Sequence, residues 1–188
     1  MSTEKKGVIE SIKDGIVDVI TGAGDIANAI VGAISGMVSN LAKETGKTGA
    51  ALIECTQDII SSTISGIVET GKNLEDGVKG LVIGILKGSK AVGEEAFTAI
   101  GVLASKIIKV AADTGGDVVA ATKGLLKGAI RSAKETGVDS EKAVSAAATG
   151  AVKAAYEISA EVGDKVKQAA TGTIEGVKVV LAEPFQKK

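Results

Sequence analysis

Thirteen glycines lie inside stretches that otherwise read as helix, and they restrict the folds open to this chain more than any other feature. They are Gly32, Gly36, Gly66, Gly77, Gly80, Gly84, Gly88, Gly101, Gly124, Gly128, Gly150, Gly172 and Gly176. Each costs about 1 kcal/mol of helix propensity relative to alanine. The sum, on the order of 10 kcal/mol, equals the whole net stability of a typical domain, so a fold that keeps these residues has to offset the loss. The predicted means is close approach: glycine and alanine at a crossing point let two helices sit near the short end of the usual interaxial range of about 8–10 Å. The pairs Gly32/Gly36, Gly80/Gly84, Gly84/Gly88, Gly124/Gly128 and Gly172/Gly176 have GxxxG spacing, which places both members on one helix face. The expected packing seam is Gly32, Gly36, Gly80, Gly84, Gly101, Gly124, Gly128, Gly150, Gly172 and Gly176.

A second set of glycines punctuates the chain. Gly22, Gly46, Gly71, Gly93, Gly115, Gly137 and Gly163 are separated by 24, 25, 22, 22, 22 and 26 residues, and each is expected to end a helix as a left-handed cap. Within three residues of each comes a residue able to open the next helix: Asp25, Thr48, Asn73, Glu94, Asp117, Asp139 or Asp164. The stretch Val110–Val144 shows the full unit. Asp117 starts it, Leu125, Leu126, Ala129, Ile130 and Ala133 form an apolar face at three- and four-residue steps, and Gly137 closes it with Val138 placed for a Schellman contact.

These signals predict an all-α fold, about eight short antiparallel amphipathic helices of roughly 20 residues in a helical repeat array or bundle. The expected helices are Thr3–Thr21, Asp25–Thr45, Thr48–Thr70, Asn73–Val92, Glu94–Thr114, Asp117–Thr136, Asp139–Val162 and Asp164–Ala182. Pro184 is expected to stop the last, leaving Phe185–Lys188 as a short tail to a single domain over residues 1–188. A spacing of 22 is also twice 11, the period of a long right-handed supercoiled helix. Separations of 24 and 26 would rotate the apolar stripe of such a helix, whereas loops absorb them, so separate helices are the stronger reading.

Composition narrows the chemistry. The chain has no His and no Trp, and its aromatics are Phe97, Phe185 and Tyr156. A core of Ala, Val, Ile, Leu and Gly follows, and ring stacking of cofactors or single-stranded nucleic acid has little to work with. A net charge of −1 gives no strong counterion-release term, so nucleic acid is not an expected partner. Cys55 has no cysteine to pair with and no histidine to make it a nucleophile, and is expected to be a small buried hydrophobe. The opening MSTEKKGVIE lacks the apolar stretch of a signal peptide, so a reducing, cytoplasmic location is expected. The uncharged run Ile26–Ala42, 17 residues long, is at the lower limit for a membrane span but fits the repeat frame as an amphipathic helix.

Local matches to catalytic or binding motifs are fragments. Gly46-Lys47-Thr48 ends like a phosphate-binding loop, but the glycine required five residues earlier is Leu41. Gly22-Ala23-Gly24-Asp25 resembles a dinucleotide turn, yet Asp25 would repel the phosphates and no βα alternation follows. Glu94/Glu95, Asp139/Glu141 and Glu157/Glu161 are expected in first turns and solvated faces. Lys123, Lys127, Arg131 and Lys134 are expected to be a charged outer face.

The expected function is therefore non-enzymatic: a structural or scaffold protein that self-assembles, with no cofactor and no metal, its partner being itself. An alternative is a coat on a lipid or other hydrophobic surface. In composition, Gly150–Ala155 and Gly172–Val180 resemble the 11-residue amphipathic helices of exchangeable lipid-coat and desiccation-tolerance proteins. A nucleotide-binding protein is the third reading.

Overall fold

The structure is a computed structural model that describes residues 3–182 apart from Val92, with side chains from Glu10 onward. It is built from α1 (Thr3–Thr21), α2 (Ile26–Thr45), α3 (Gly49–Ile53), α4 (Gln57–Glu69), α5 (Leu74–Ser89), α6 (Gly93–Asp113), α7 (Val118–Thr136), α8 (Ser140–Ile158) and α9 (Ala160–Ala169). Two short antiparallel strands, β1 (Thr173–Ile174) and β2 (Val177–Lys178), follow. Pro184 and the tail Phe185–Lys188 lie outside the described residues, as does the expected helix end at Val92.

Local chemistry sets most helix boundaries. The carboxylate of Asp117 accepts from the amides of Val119 and Ala120 at 2.8 and 3.1 Å, and Asp139 accepts from Glu141 and Lys142 at the same distances. Asp25 and Asn73 cap α2 and α5 through the amides of Asn28 and Asp76. At the other ends, Gly46, Gly71, Gly115 and Gly137 are left-handed, with φ between 63° and 73°. The amide of Val138 reaches the Ala133 carbonyl at 3.0 Å, and that of Gly116 reaches Ala111 at 2.8 Å, the six-to-one bond of a Schellman ending. The threonine before each of these glycines has its own task. The hydroxyls of Thr45, Thr70, Thr114 and Thr136 donate to carbonyls four residues back at 2.7–2.9 Å, giving the last turn donors that the ending backbone no longer supplies.

Several boundaries differ from expectation. The helix expected over Thr48–Thr70 is interrupted by a 3-10 turn at Glu54–Thr56, which separates α3 from α4. Lys90, left-handed at φ 53°, ends α5, so Gly93 is the first residue of α6 and not a C-cap. Gly22 follows α1 outside the left-handed region, its amide reaching the Asp18 carbonyl at 3.4 Å. The expected helix Asp139–Val162 stops at Ile158, because Ser159 is extended and its hydroxyl caps α9 by accepting from Val162. Gly163 is thus inside a helix and ends none. The expected helix Asp164–Ala182 is a continuation of α9 followed by a β-hairpin, in which Glu175 and Gly176 both have positive φ and form the two-residue turn.

The helices stack in two layers. One contains α2, α5, α7 and α9, each packed on the next; the other contains α1, α3 with α4, α6 and α8. Successive hairpins therefore stack as repeats, and a continuous apolar core runs between the layers from Ile16 to Val179. Within a layer the helices run the same way: positions 80, 84 and 88 of α5 face, in that order, Ala27, Ile34 and Val38 of α2. The tightest partners are parallel helices two repeats-halves apart in sequence, and chain neighbours are the antiparallel ones between layers. Among the described residues no helix is long and apolar enough to cross a membrane.

Candidate functional site

The structure converges on a packing seam that recurs from helix to helix. In α5, a Cβ at Gly80 would strike the backbone carbonyl of Ala27, one at Gly84 would lie 2.8 Å from Cβ of Ile34, and one at Gly88 2.7 Å from Cβ of Val38. Real Cβ atoms do not approach so closely, so only hydrogen fits. In α7 the pattern repeats: Gly124 sits against the carbonyl of Glu75 and Gly128 against Val82, its Cβ position 2.8 Å away. The other layer has its own version. Gly150 of α8 presses on the backbone carbonyl of Gly101 in α6, and the hydroxyl of Ser105 bridges the two helices by donating to the Gly150 carbonyl at 3.1 Å. Gly101 is looser, its Cβ position 3.7 Å from the carbonyl of Ala146. Gly66, Gly77 and Gly88 belong to close contacts as well, against Val17, Ile67 and Val38.

Four of the expected seam residues lie elsewhere. Gly32 and Gly36 are exposed on α2 and nothing lies within 4 Å of their Cβ positions. Gly172 and Gly176 are outside any helix, with φ of 95° and 80°, and serve the hairpin through backbone conformation. Gly163 makes a close contact that its spacing did not suggest. It lies under the ring of Tyr156, whose hydroxyl donates to Asp164 at 2.7 Å; that bond holds the phenol proton and raises the Tyr156 pKa.

Charged groups border the seam and tie it down. Lys127 of α7 bonds Glu75 of α5 beside the Gly124 contact, and this partner raises the lysine's pKa. Lys13 and Glu69 join α1 to α4 at 2.9 Å, with the same effect on Lys13. Lys106–Glu54 and Lys109–Glu157 link α6 to the segments on either side of it. Arg131 pairs with Glu135 along α7.

The motif fragments are absorbed into helix ends. Gly46 is the C-cap of α2, and Lys47 places its ammonium 3.3 Å from the sulfur of the half-buried Cys55. Asp25 occupies the N-terminus of α2 with its own carboxylate, where a pyrophosphate would have to sit. Among the described residues no three His, Cys, Asp or Glu side chains converge as metal ligands would. A shallow groove of about 590 Å³ lies between α6 and α8, and residues 180–182 run along it, their amides donating to Ser145 and Thr149. The large apolar side chains left exposed, among the described residues, are Ile158 and Val180.

Comparison with known proteins speaks to the fold. No protein-family model matches the chain, and no curated protein does. Among solved structures it is similar to the de novo designed helical repeat protein DHR7, with a TM-score of 0.50 over 88% of this chain and 91% of that one, at 18% identity. The helical repeat architecture read from the packing is thus shared with a designed repeat array.

Proposed function

We propose that the protein is a non-enzymatic scaffold that assembles with further copies of itself. The observation that supports this reading is the recurrence of one contact, a glycine-bearing helix face receiving a parallel helix backbone to backbone, at α5 on α2 and again at α7 on α5. A contact that repeats inside a chain is one that can repeat between chains, and repeat arrays leave extended faces for that purpose. Among the described residues the large apolar side chains are gathered into the core, with Ile158 and Val180 exposed, whereas a lipid coat needs a continuous apolar face. Size-exclusion chromatography with light scattering, over a wide concentration range, tests the proposal. A mass above that of one chain that grows with concentration and then levels is expected; a single-chain mass throughout would overturn it.

A further inference from the structure

After the hairpin the chain enters the groove between α6 and α8. The amide of Val180 donates to the Ser145 hydroxyl at 3.0 Å, and that of Ala182 to the Thr149 hydroxyl at 3.2 Å. Two residues of extended chain advance about 6.6 Å and four residues of helix about 6 Å, so the chain climbs α8 by one turn for every two residues, in the direction of α8 itself. The neighbouring helix runs the same way, with Gly101 against Ala146 and Gly150, and Lys109 paired with Glu157. Ser105 and Lys153, about one turn beyond Thr149, line the same groove. The groove therefore continues past Ala182.

The sequence continues with Glu183, Pro184, Phe185, Gln186, Lys187 and Lys188, and its chemistry fits that path. Proline keeps the residue before it out of the helical region, so Glu183 favours the extended course already set. The third amide in register belongs to residue 184, opposite Lys153. Pro184 has no N–H to donate and Lys153 no side-chain atom to accept one, so neither is left wanting where the ladder stops. Val179 is buried and Leu181 half-buried, while Val180 and Ala182 are exposed; the same alternation carried on brings Phe185 into the inward phase. The charges are complementary in order, Lys153 before Glu157 on α8 and Glu183 before Lys187 in the chain.

We infer that Glu183–Lys188 is the occupant of the α6/α8 groove beyond Ala182, a strap that runs toward Lys109 and Glu157 with Phe185 turned inward. It ties the last helix of this layer to the one before it. The strap acts within one chain and so does not depend on self-assembly.

A nitroxide attached at Lys188→Cys, in a Cys55→Ala background, tests this by broadening nearby amide resonances of the isotope-labelled full chain. Loss of the signals around Lys109 and Glu157 is expected, with those around Phe97 and Lys142, at the other end of the groove, retained. Equal loss at both ends, or loss at neither, would overturn the strap. Adding Phe185→Asp leaves the bonds of Val180 and Ala182 in place but puts a charge in the inward phase, and is expected to restore the Lys109 and Glu157 signals; a loss that persists would contradict Phe185 as the anchor. Mixing nitroxide-bearing chains that carry no isotope with isotope-labelled chains that carry no nitroxide separates a strap from exchange between copies. The signals are expected to survive in the mixture. Their loss there would assign the groove to the tail of another copy, overturning the strap while self-assembly stands.

Discussion

In α5, Gly80 and Gly84 are closed over by Ala27 and Ile34, whereas in α2 Gly32 and Gly36, at the same positions of the repeat, meet nothing within 4 Å. The two rows have identical GxxxG spacing on helices of similar apolar content. What separates them is their place in the stack: α5 has a parallel neighbour on its receiving side and α2 does not. Spacing marks a face that can accept a backbone, and neighbours in the array determine whether the face is filled. The energetic consequence is opposite in the two helices. A covered glycine gives up helix propensity and recovers it in dense backbone contact; an uncovered one only loses propensity in the single chain.

The largest effects come from breaking the covered row. Gly124→Leu is expected to destabilise the fold by about 3 kcal/mol or more, because overpacking against an immovable carbonyl forces two helices apart, while Lys127→Leu three residues later changes stability by less than about 1 kcal/mol. Urea titration of both variants checks this; equal midpoints would remove the seam from the argument. Gly163→Ala is expected to come next. Its Cβ would displace the ring of Tyr156 and loosen the phenol bond to Asp164, and near-ultraviolet dichroism of this tyrosine would register the displacement.

Smaller still is the cap of the helix that carries Gly124 and Gly128. Asp117→Ala is expected to cost about 1 kcal/mol, with Asp117→Asn milder, since the amide oxygen can still accept from the first-turn amides. The smallest expected effect is alkaline. Lys127 has its pKa raised by Glu75, so the folded state holds that proton more tightly than the unfolded chain does. Its stabilisation is fully present below the ordinary lysine value of 10.5 and is lost as pH rises through the folded value. Both side chains are partly open to solvent, so the amount is a fraction of about 1 kcal/mol. Comparing Lys127→Met with the parent at pH 7 and above 10.5 should show the difference between them shrinking.

Much of the fold is written locally, and those parts are legible in the sequence. Asp25, Asn73, Asp117 and Asp139 are N-caps and Gly46, Gly71, Gly115 and Gly137 end helices because each works within its own turn of backbone. The pairing of helices across two steps of the chain is not local, so the parallel seam could be anticipated as close packing but not assigned to partners. The C-terminal region is less legible for a specific reason: glycine has more than one use. Gly163 makes room for Tyr156, and Gly176 with Glu175 turns a hairpin. The alternation Thr173, Ile174, then Val177, Lys178 around that pair was the available strand signal. Ser159, a good N-cap, was the available sign of the break before α9.

The comparison between α5 and α2 reduces to one paired measurement, the unfolding free energies of Gly80→Ala and Gly32→Ala at a concentration where the chain is monomeric. A methyl group at position 80 meets the Ala27 backbone, so that variant is predicted to be less stable than the parent; at position 32 it meets open space, so that variant is predicted to be more stable by about 0.5–1 kcal/mol. Changes of the same sign in both would contradict the account.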